Sequence, residues 1–457
     1  ERIFSMNQHN QMNTSARVAI GFMLFALFFG AGNLIFPAQL GQEAGESLIP
    51  AISGFLMTGV GLPLLGILAI GFSGSENLQQ LASRVHPAYG LFFTALLYLT
   101  IGPFFAAPRT ATVAYEIGIA PLLGESSGQT ALFIFTLIFF AITLLFSLYP
   151  TRLVDIIGKL LAPALVVLLT ILLAVAIFNP MGSIQSPVEA YEGAAFAKGF
   201  LEGYNTMDAL ASLVFGMIII TSIHSFGLHS KKEVFVEVAK SGFIATVLLG
   251  VIYIGIAYLG ATSVTTLGMF DNGGPVLSGA ASHYFGTLGS LILMVVIILA
   301  CLTTAIGLVT ANAEYFHMLF PRISYRIFVI FFAGLTFVIA NFGLTNIINF
   351  SIPMLMFLYP LAIVLMLLTF VAPIFNNAQV VYVSTIAITF LLSLVDGLVA
   401  LCDSLDIDVF QWLVSLTGFL DRVLPFYSEG LGWLVPALIS ILISGLFAKA
   451  TNAKPVS

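Results

Sequence analysis

Apolar runs of about 20 residues, the length a helix needs to cross a bilayer, recur along the chain at 18 to 40, 48 to 71, 88 to 118, 130 to 149, 154 to 178, 200 to 224, 240 to 262, 286 to 316, 324 to 341, 343 to 370, 379 to 400 and 430 to 448. These twelve runs predict an all-α polytopic membrane protein. No alternating ten-residue pattern of the kind a barrel requires is present. The first run is flawed at its centre, where Phe29-Gly30-Ala31-Gly32-Asn33-Leu34-Ile35-Phe36-Pro37 sets two glycines, a proline and a polar amide where a helix should be most regular. Lipid cannot hydrogen-bond freed backbone groups, so such a break survives only where protein, water or a ligand satisfies it. Paired breaks of this kind mark the binding sites of secondary transporters. Pro103 and Pro108 make the third run look interrupted as well, and Gly203, Asn205, Thr206 and Asp208 suggest a weaker break in the sixth.

Composition agrees: 59% of residues are hydrophobic and 8% charged, against roughly 25% charged in a soluble domain. Placing the N-terminus in the cytoplasm puts Arg2, Arg17, Arg84, Arg152, Lys159, Lys231, Lys232, Lys240, Arg322, Arg326, Lys449 and Lys454 inside and only Lys198 and Arg422 outside, as the positive-inside rule demands. An even number of spans returns the C-terminus to the cytoplasm. The first run starts too far in, and continues too long, for a cleaved signal peptide. The residues before Met6 read as an extension and are left out of the fold. Between the fifth and sixth runs, residues 179 to 199 carry Glu189 and Glu192 and suggest a short surface helix. Residues 262 to 284 form a second outer loop, with the turn cluster Asp271-Asn272-Gly273-Gly274-Pro275. The net charge of −6 is divided between two faces of a membrane and does not identify a partner.

Enzyme and pump signatures are missing. Gly158-Lys159 is followed by Leu160 rather than Ser or Thr, so there is no phosphate loop, and no His-Glu-x-x-His occurs. A K⁺-channel filter sequence is also absent. Cys301 and Cys402 lie too far apart in sequence for a metal motif and read as apolar residues. His224 and His229 fall at the cytoplasmic end of the sixth run and read as interfacial. No enzymatic activity, organic cofactor, nucleic-acid partner or obligate protein partner is expected.

Chemistry is therefore sought in the polar residues within the runs, because ionisable groups at membrane depth are costly and face a cavity or a partner. Asp208 lies about four residues, roughly 6 Å, from the middle of the sixth run. Its carboxylate has three readings: ligating a cation, carrying a coupling proton, or holding a broken helix in place. Thr303 and Thr304 sit near the centre of the eighth run, and adjacent hydroxyls suit a hard cation that takes oxygen ligands; equally, threonines in membrane helices bond their own backbone. Arg109 either snorkels outward or pairs with Glu116, in a structural or a gating role. Glu314, beside His317 and Arg322, suggests an interfacial salt bridge.

The segment Phe25 to Pro37 resembles the first-helix signature of BrnQ-type branched-chain amino acid carriers, the LIVCS family. The blocks Gly102 to Arg109, Gly203 to Asp208, Cys301 to Leu308 and Ser351 to Pro360 are similar to the same family in the same order, and the similarity extends from about residue 17 to 448. It implies a LeuT-like fold: a five-helix repeat over 17 to 178, an inverted repeat over 200 to 370, two further helices over 379 to 448, and broken first and sixth helices facing each other. It implies a symporter in the bacterial cytoplasmic membrane that imports leucine, isoleucine and valine with Na⁺, or with H⁺ through Asp208. A channel or passive facilitator for small amphipathic solutes is the alternative. Carried over by resemblance, the amides of Gly30, Ala31, Gly32 and Asn33 receive the substrate carboxylate. The same likeness makes Tyr204, Asn205, Thr206 and Met207 of the sixth helix substrate-binding residues, with Phe104, Phe105 and Met207 as candidates for the apolar pocket. Thr303 and Thr304, with the carbonyls of Ala26, Phe29 and Ala300, are the implied Na⁺ ligands, and Asn33 with Asp208 a possible second cation or proton site. Neurotransmitter sodium symporters carry an Arg where this chain has Ile35, so their outer gate does not transfer; Arg109 is the gating candidate here.

Overall fold

A computed structural model describes residues 12–75, 77–124, 128–149, 152–228, 230–451, 453 and 455. The extension before Met6, Arg2, His229 and Lys454 lie outside the described residues. Helices occupy all twelve predicted runs. They are α1 (Thr14–Phe28) and α2 (Gly32–Ala44) in the first, α3 (Leu48–Leu56) and α4 (Leu62–Ser73) in the second, α5 (Pro87–Leu99) and α6 (Ala106–Ala114) in the third, then α7 (Gln129–Leu148) and α8 (Arg152–Phe178). The second half holds α9 (Ala195–Glu202) and α10 (Asp208–His224) in the sixth run, α11 (Lys231–Leu267), α12 (Gly274–Leu319), α13 (Tyr325–Ala340), α14 (Leu344–Val371), α15 (Gln379–Ser404), the amphipathic α16 (Gln411–Val423), and α17 (Leu434–Thr451). Among the described residues eight continuous helical stretches are long and apolar enough to cross a membrane, and the bent pair Ala195–Thr206 and Asp208–His224 makes a ninth. The shorter apolar helices Thr14–Phe28, Pro163–Phe178 and Tyr325–Ala340 fill the remaining runs. The protein is an integral membrane protein.

The helices are amphipathic in the sense a bilayer requires. On α7 the buried side includes Thr136, Thr143 and Ser147, while Phe133, Ile134, Leu137, Ile138 and Leu145 are exposed, so apolar side chains face outward and hydroxyls face helix neighbours.

Among the described residues three spans are interrupted. The first stops at Phe28 and resumes at Gly32; Phe29 (φ −76°, ψ 88°) leaves the helix. The sixth passes through a 3₁₀ turn over Gly203–Thr206 to Met207, a non-glycine residue in the left-handed region (φ 61°, ψ 8°), before α10 begins, and its halves meet at 46°. The third is broken at Gly102 (φ −90°, ψ −120°), beside Pro103, where the Asn312 side chain of α12 occupies the space a Cβ would fill. One loop differs from expectation. The loop predicted over 262 to 284 is mostly helical: α12 starts at Gly274, capped by the Asn272 side chain that accepts from Gly274 N–H (2.9 Å), and kinks at Gly286 (φ 62°, ψ −158°). Pro275 at the start of that helix fits the first turn, where its missing N–H costs nothing.

The halves of each broken span are held differently. α2 meets α11 backbone to backbone, Gly41 lying against the Ala257 carbonyl and Gly260 against the Ala38 carbonyl; α9 meets α3 likewise, through Gly199 on the Ala51 carbonyl and Gly54 on the Phe196 carbonyl. Lipid supplies no hydrophobic drive between helices, so close approach through small residues supplies the packing. The loop after α8 straps the same end: Val188 N–H donates to Glu43 O (2.9 Å) and Glu46 N–H to Gln185 O (3.0 Å). α1 and α10 pack through side chains, Gly21 of α1 lying against Ile244 of α11 and Ser212 of α10 against Gly66 of α4, and both line open space on another face. Near its start α1 is tied to α11 by Arg17, whose guanidinium reaches both oxygens of Glu237 (2.7 and 3.0 Å).

Replacing Gly41 by Val would drive a side chain into the Ala257 carbonyl, and overpacking of this kind costs about 1–3 kcal/mol. The variant is expected to unfold at lower temperature than the parent in detergent; an unchanged transition would show that α2 and α11 separate freely.

Candidate functional site

Three breaks converge on one space. A cavity of about 1180 Å³ is lined by Ala26 and Phe29 to Asn33 of the first span, Ile101, Ala106, Arg109 and Thr110 of the third, Thr206 to Asp208 of the sixth, and Ala300, Thr303 and Thr304 of α12. It continues past Phe215 and Leu308 to Ala16, Ser225 and Glu314, opening at the face where α1 begins. Its walls are mainly apolar, with polar groups concentrated at the breaks, the usual anatomy of a small-molecule site.

One side chain joins two of the breaks. Asn33 Oδ1 accepts from Gly30 N–H (3.0 Å), while its Nδ2 donates to Asp208 Oδ2 (2.5 Å) and to the Tyr253 hydroxyl. Tyr253, on α11, donates in turn to Asp208 Oδ2 (3.1 Å). All three side chains are buried. Because Gly30 N–H is drawn to Asn33, the Ala26 carbonyl loses the donor it would have in an unbroken helix. Asp208 sits in the first turn of α10, where the positive end of the helix dipole favours a carboxylate.

The hydroxyls of Thr303 and Thr304 both donate to the Ala300 carbonyl, at 2.9 and 3.0 Å. Their oxygens keep lone pairs, and Thr304 stands next to Gly30, where an added Cβ would come within 3.8 Å of the threonine methyl. Ala26, Phe29, Ala300, Thr303 and Thr304 thus border one corner of the cavity. Of the three carbonyls, Ala300 is the one already engaged by hydroxyls. Among the described residues no group of three His, Cys, Asp or Glu is placed to hold a metal, so a cation here would rest on hydroxyls, carbonyls and at most one carboxylate.

Other expected residues fall elsewhere. Phe104 and Phe105 are half-buried with rings 6.2 Å apart and do not line the cavity; the break at Gly102 turns them away, and Ile101, Phe215 and Leu308 supply apolar wall instead. Tyr204 is buried against Tyr359, ring on ring at 4.0 Å. Asn205 donates its side chain to Glu202 (2.8 Å), and its carbonyl points at Arg109. Thr206 and Met207 reach the cavity.

Arg109 neither snorkels nor pairs with Glu116. It is 2% exposed, donating to the Asn205 carbonyl (2.6 Å) and to Ser351 Oγ on α14 (2.9 Å), with its guanidinium 5.0 Å from the centre of the Phe36 ring. Glu314 lies exposed at the cavity mouth and forms none of the ion pairs among the described residues, while His317 Nδ1 is 2.8 Å from the Ile323 carbonyl. Tyr253, Ser351 and Phe36 were not expected at the site; in sequence each is a single polar or aromatic residue in an apolar run, with nothing to reveal its distant partner. Cys301 and Cys402 are both buried and unbridged.

Residues 13–451 match the family described as branched-chain amino acid transport protein. The chain belongs to this family. It is 47% identical, over 94% of its length and 96% of the relative's, to the branched-chain amino acid permease BrnQ of Bacillus subtilis (strain 168). It is also 38% identical, over 98% and 99%, to the permease of the same name from Escherichia coli (strain K12). Among solved structures it is similar to the inward-facing conformation of Mhp1, with a TM-score of 0.61 at 14% identity over 96% of this chain and 95% of that one. MhsT in complex with L-phenylalanine follows with a TM-score of 0.50 at 14% identity over 96% and 99%. At such identities the likeness speaks for the fold, which is LeuT-like, with its broken first and sixth helices. The protein is a transport protein and not an enzyme.

Replacing Tyr253 by Phe removes one hydrogen bond to Asp208 and the acceptor for Asn33 while preserving shape. Leaving buried polar groups unpaired costs about 1–3 kcal/mol, so a lower unfolding temperature is expected; equal stability would mean that the hydroxyl is dispensable to the two breaks.

Proposed function

We propose that this protein imports leucine, isoleucine and valine by symport with Na⁺, alternating the access of one site between the two faces of the bacterial cytoplasmic membrane. The observation that carries this reading is the single cavity bordered by both helix breaks, with donors and acceptors for a zwitterion and a cation gathered in an apolar surround. An amino acid must shed water from both charged ends, which is costly unless protein groups replace it. The first-turn amides of α2, at Ala31 to Asn33, are suited to the carboxylate, since a helix N-terminus leaves its N–H groups unpaired. Carbonyls released at the breaks, the Thr206 hydroxyl and Asp208 suit the ammonium, and Ile101, Met207, Phe215 and Leu308 suit a branched aliphatic side chain. Such a pocket separates leucine, isoleucine and valine weakly, because one methylene is worth only about 1–3 kcal/mol.

Na⁺ would travel as cargo held by Thr303 and Thr304 with carbonyls of the broken first helix, Ala26 being the one the break has freed. Asp208, linked to Asn33, ties the cation corner to the sixth span. Filling the corner with positive charge would stabilise the arrangement that also presents the α2 amides to substrate, which is how one site favours occupancy of the other. The positive-inside pattern supports a cytoplasmic cavity mouth, which would make this an inward-facing arrangement. Residues 17 to 178 and 200 to 370 would move as the two repeats around the site. A channel would need a continuous path, whereas the cavity ends at the outer half-helices and Arg109; this favours a carrier.

In proteoliposomes an imposed inward Na⁺ gradient is expected to accumulate labelled leucine above its equilibrium level, and leucine that only equilibrates would indicate a passive facilitator. Converting Thr303 and Thr304 together to Ala should raise the Na⁺ concentration for half-maximal transport about tenfold or more, taking roughly 1.4 kcal/mol for lost ligation; the same Na⁺ dependence at matched protein abundance would remove them as ligands. Asp208→Asn tests the coupling ion: weaker Na⁺ dependence supports electrostatic support of Na⁺, a flattened pH dependence supports a proton, and reduced thermal stability with both dependences intact would leave Asp208 an anchor only.

A further inference from the structure

Two buried charges border the cavity, and neither has an opposite charge beside it in the ion pairs among the described residues. For Asp208 the proposed cation supplies the missing charge. Arg109 has no such answer yet. Its contacts are all neutral: the Asn205 carbonyl, the Ser351 hydroxyl and the face of Phe36. Its Nε is buried with no hydrogen-bond partner. A guanidinium stays charged in proteins, and an uncompensated charge inside a membrane protein is expensive, so an anion arriving from outside would relieve a cost that the protein's own neutral groups leave standing.

Position indicates which anion. The Asn205 carbonyl gripped by Arg109 lies 3.6 Å from where a Cβ on Gly32 would stand, which puts the guanidinium at the N-terminal turn of α2. Unpaired amides, the positive end of a helix dipole and a buried cation therefore lie close together, and the unpartnered Nε N–H, covered in this arrangement, would be uncovered as a ligand enters. The same guanidinium links the third span to the break in the sixth and to α14, on the side of the cavity away from its mouth.

We propose that Arg109 is the receptor for the α-carboxylate of the substrate, its Nε edge pairing with the carboxylate beside the first-turn amides of α2 while its other nitrogens hold the outer side closed. This deepens the reading of an amino-acid carrier and rests on it. The ligand class it selects is a zwitterion with a free carboxylate; amides and esters of the same amino acids lack the charge that compensates Arg109. Phe36 and Ser351 orient the guanidinium, and Gly32 keeps the approach free of a side chain.

The test compares binding of leucine and of leucinamide, which keeps the side chain and amine without the carboxylate, to the purified full chain at neutral pH and saturating Na⁺. The parent is expected to prefer leucine by about 100-fold, the scale of a desolvated charge pair. Arg109→Gln should weaken leucine about 30- to 100-fold and leucinamide less than about threefold, so that the preference collapses. Arg109→Lys, which keeps the charge without the planar fork, should weaken leucine about tenfold with leucinamide unmoved, and it serves if the Gln variant does not fold. Losses that are equal for the two ligands would reduce Arg109 to a latch and overturn the proposal. If the parent ignores leucine but binds another amino acid, the branched-chain reading fails, and the ratio for that amino acid and its amide decides the role of Arg109.

Discussion

Everything at this site depends on one constraint: backbone groups released at membrane depth must find partners, and here a single amide side chain finds them for two helices at once. Asn33 takes the N–H of Gly30 with its oxygen and reaches Asp208 with its nitrogen, so the break in the first span and the start of the second half of the sixth are one hydrogen-bonded unit. Tyr253 closes the unit from α11. Deleting any member leaves a buried polar group without its partner, which is why a broken helix can be stable and still leave some of its groups open to a ligand.

That unit divides the molecule mechanically. On the side away from the cavity mouth α2 and α9 are packed against α11 and α3 through glycines and carbonyls, contacts too close to admit a side chain. On the side of the mouth α1 and α10 flank the cavity, and among the described residues α1 is anchored at its start by Arg17 on Glu237. All four half-helices therefore have close neighbours, and what distinguishes α1 and α10 is the longer stretch of cavity wall they supply. Arg109 crosses the division. It borders the cavity while holding the sixth-span break to α14.

The corner proposed for the cation shows how much a backbone could contribute without charge. Thr303 and Thr304 spend their hydrogens on the Ala300 carbonyl, so the oxygens are left as acceptors, which is the state a hard cation needs. A carbonyl that already receives two hydroxyls is a poorer acceptor than one whose helical donor has been diverted, so in the proposed site Ala26 would carry more weight than Ala300.

Much of this was legible in the chain. Length and uniform hydrophobicity determined the spans, because a segment in lipid has few alternatives to a helix. The breaks in the first and third spans were visible because glycine, proline and asparagine are costly at the centre of such a segment, and the break in the sixth was only hinted at, since Met207 in a left-handed conformation has no sequence signature. Tertiary structure alone decided the partners. Whether Arg109 faced lipid headgroups, Glu116 or the interior depended on how the third span turns at Gly102. The same turn carried Phe104 and Phe105 away from the cavity and left its apolar wall to Ile101, Phe215 and Leu308. Asn33, Asp208 and Tyr253 are up to 220 residues apart, and a local pattern carries the cost of burying a polar group but not the identity of the distant group that relieves it.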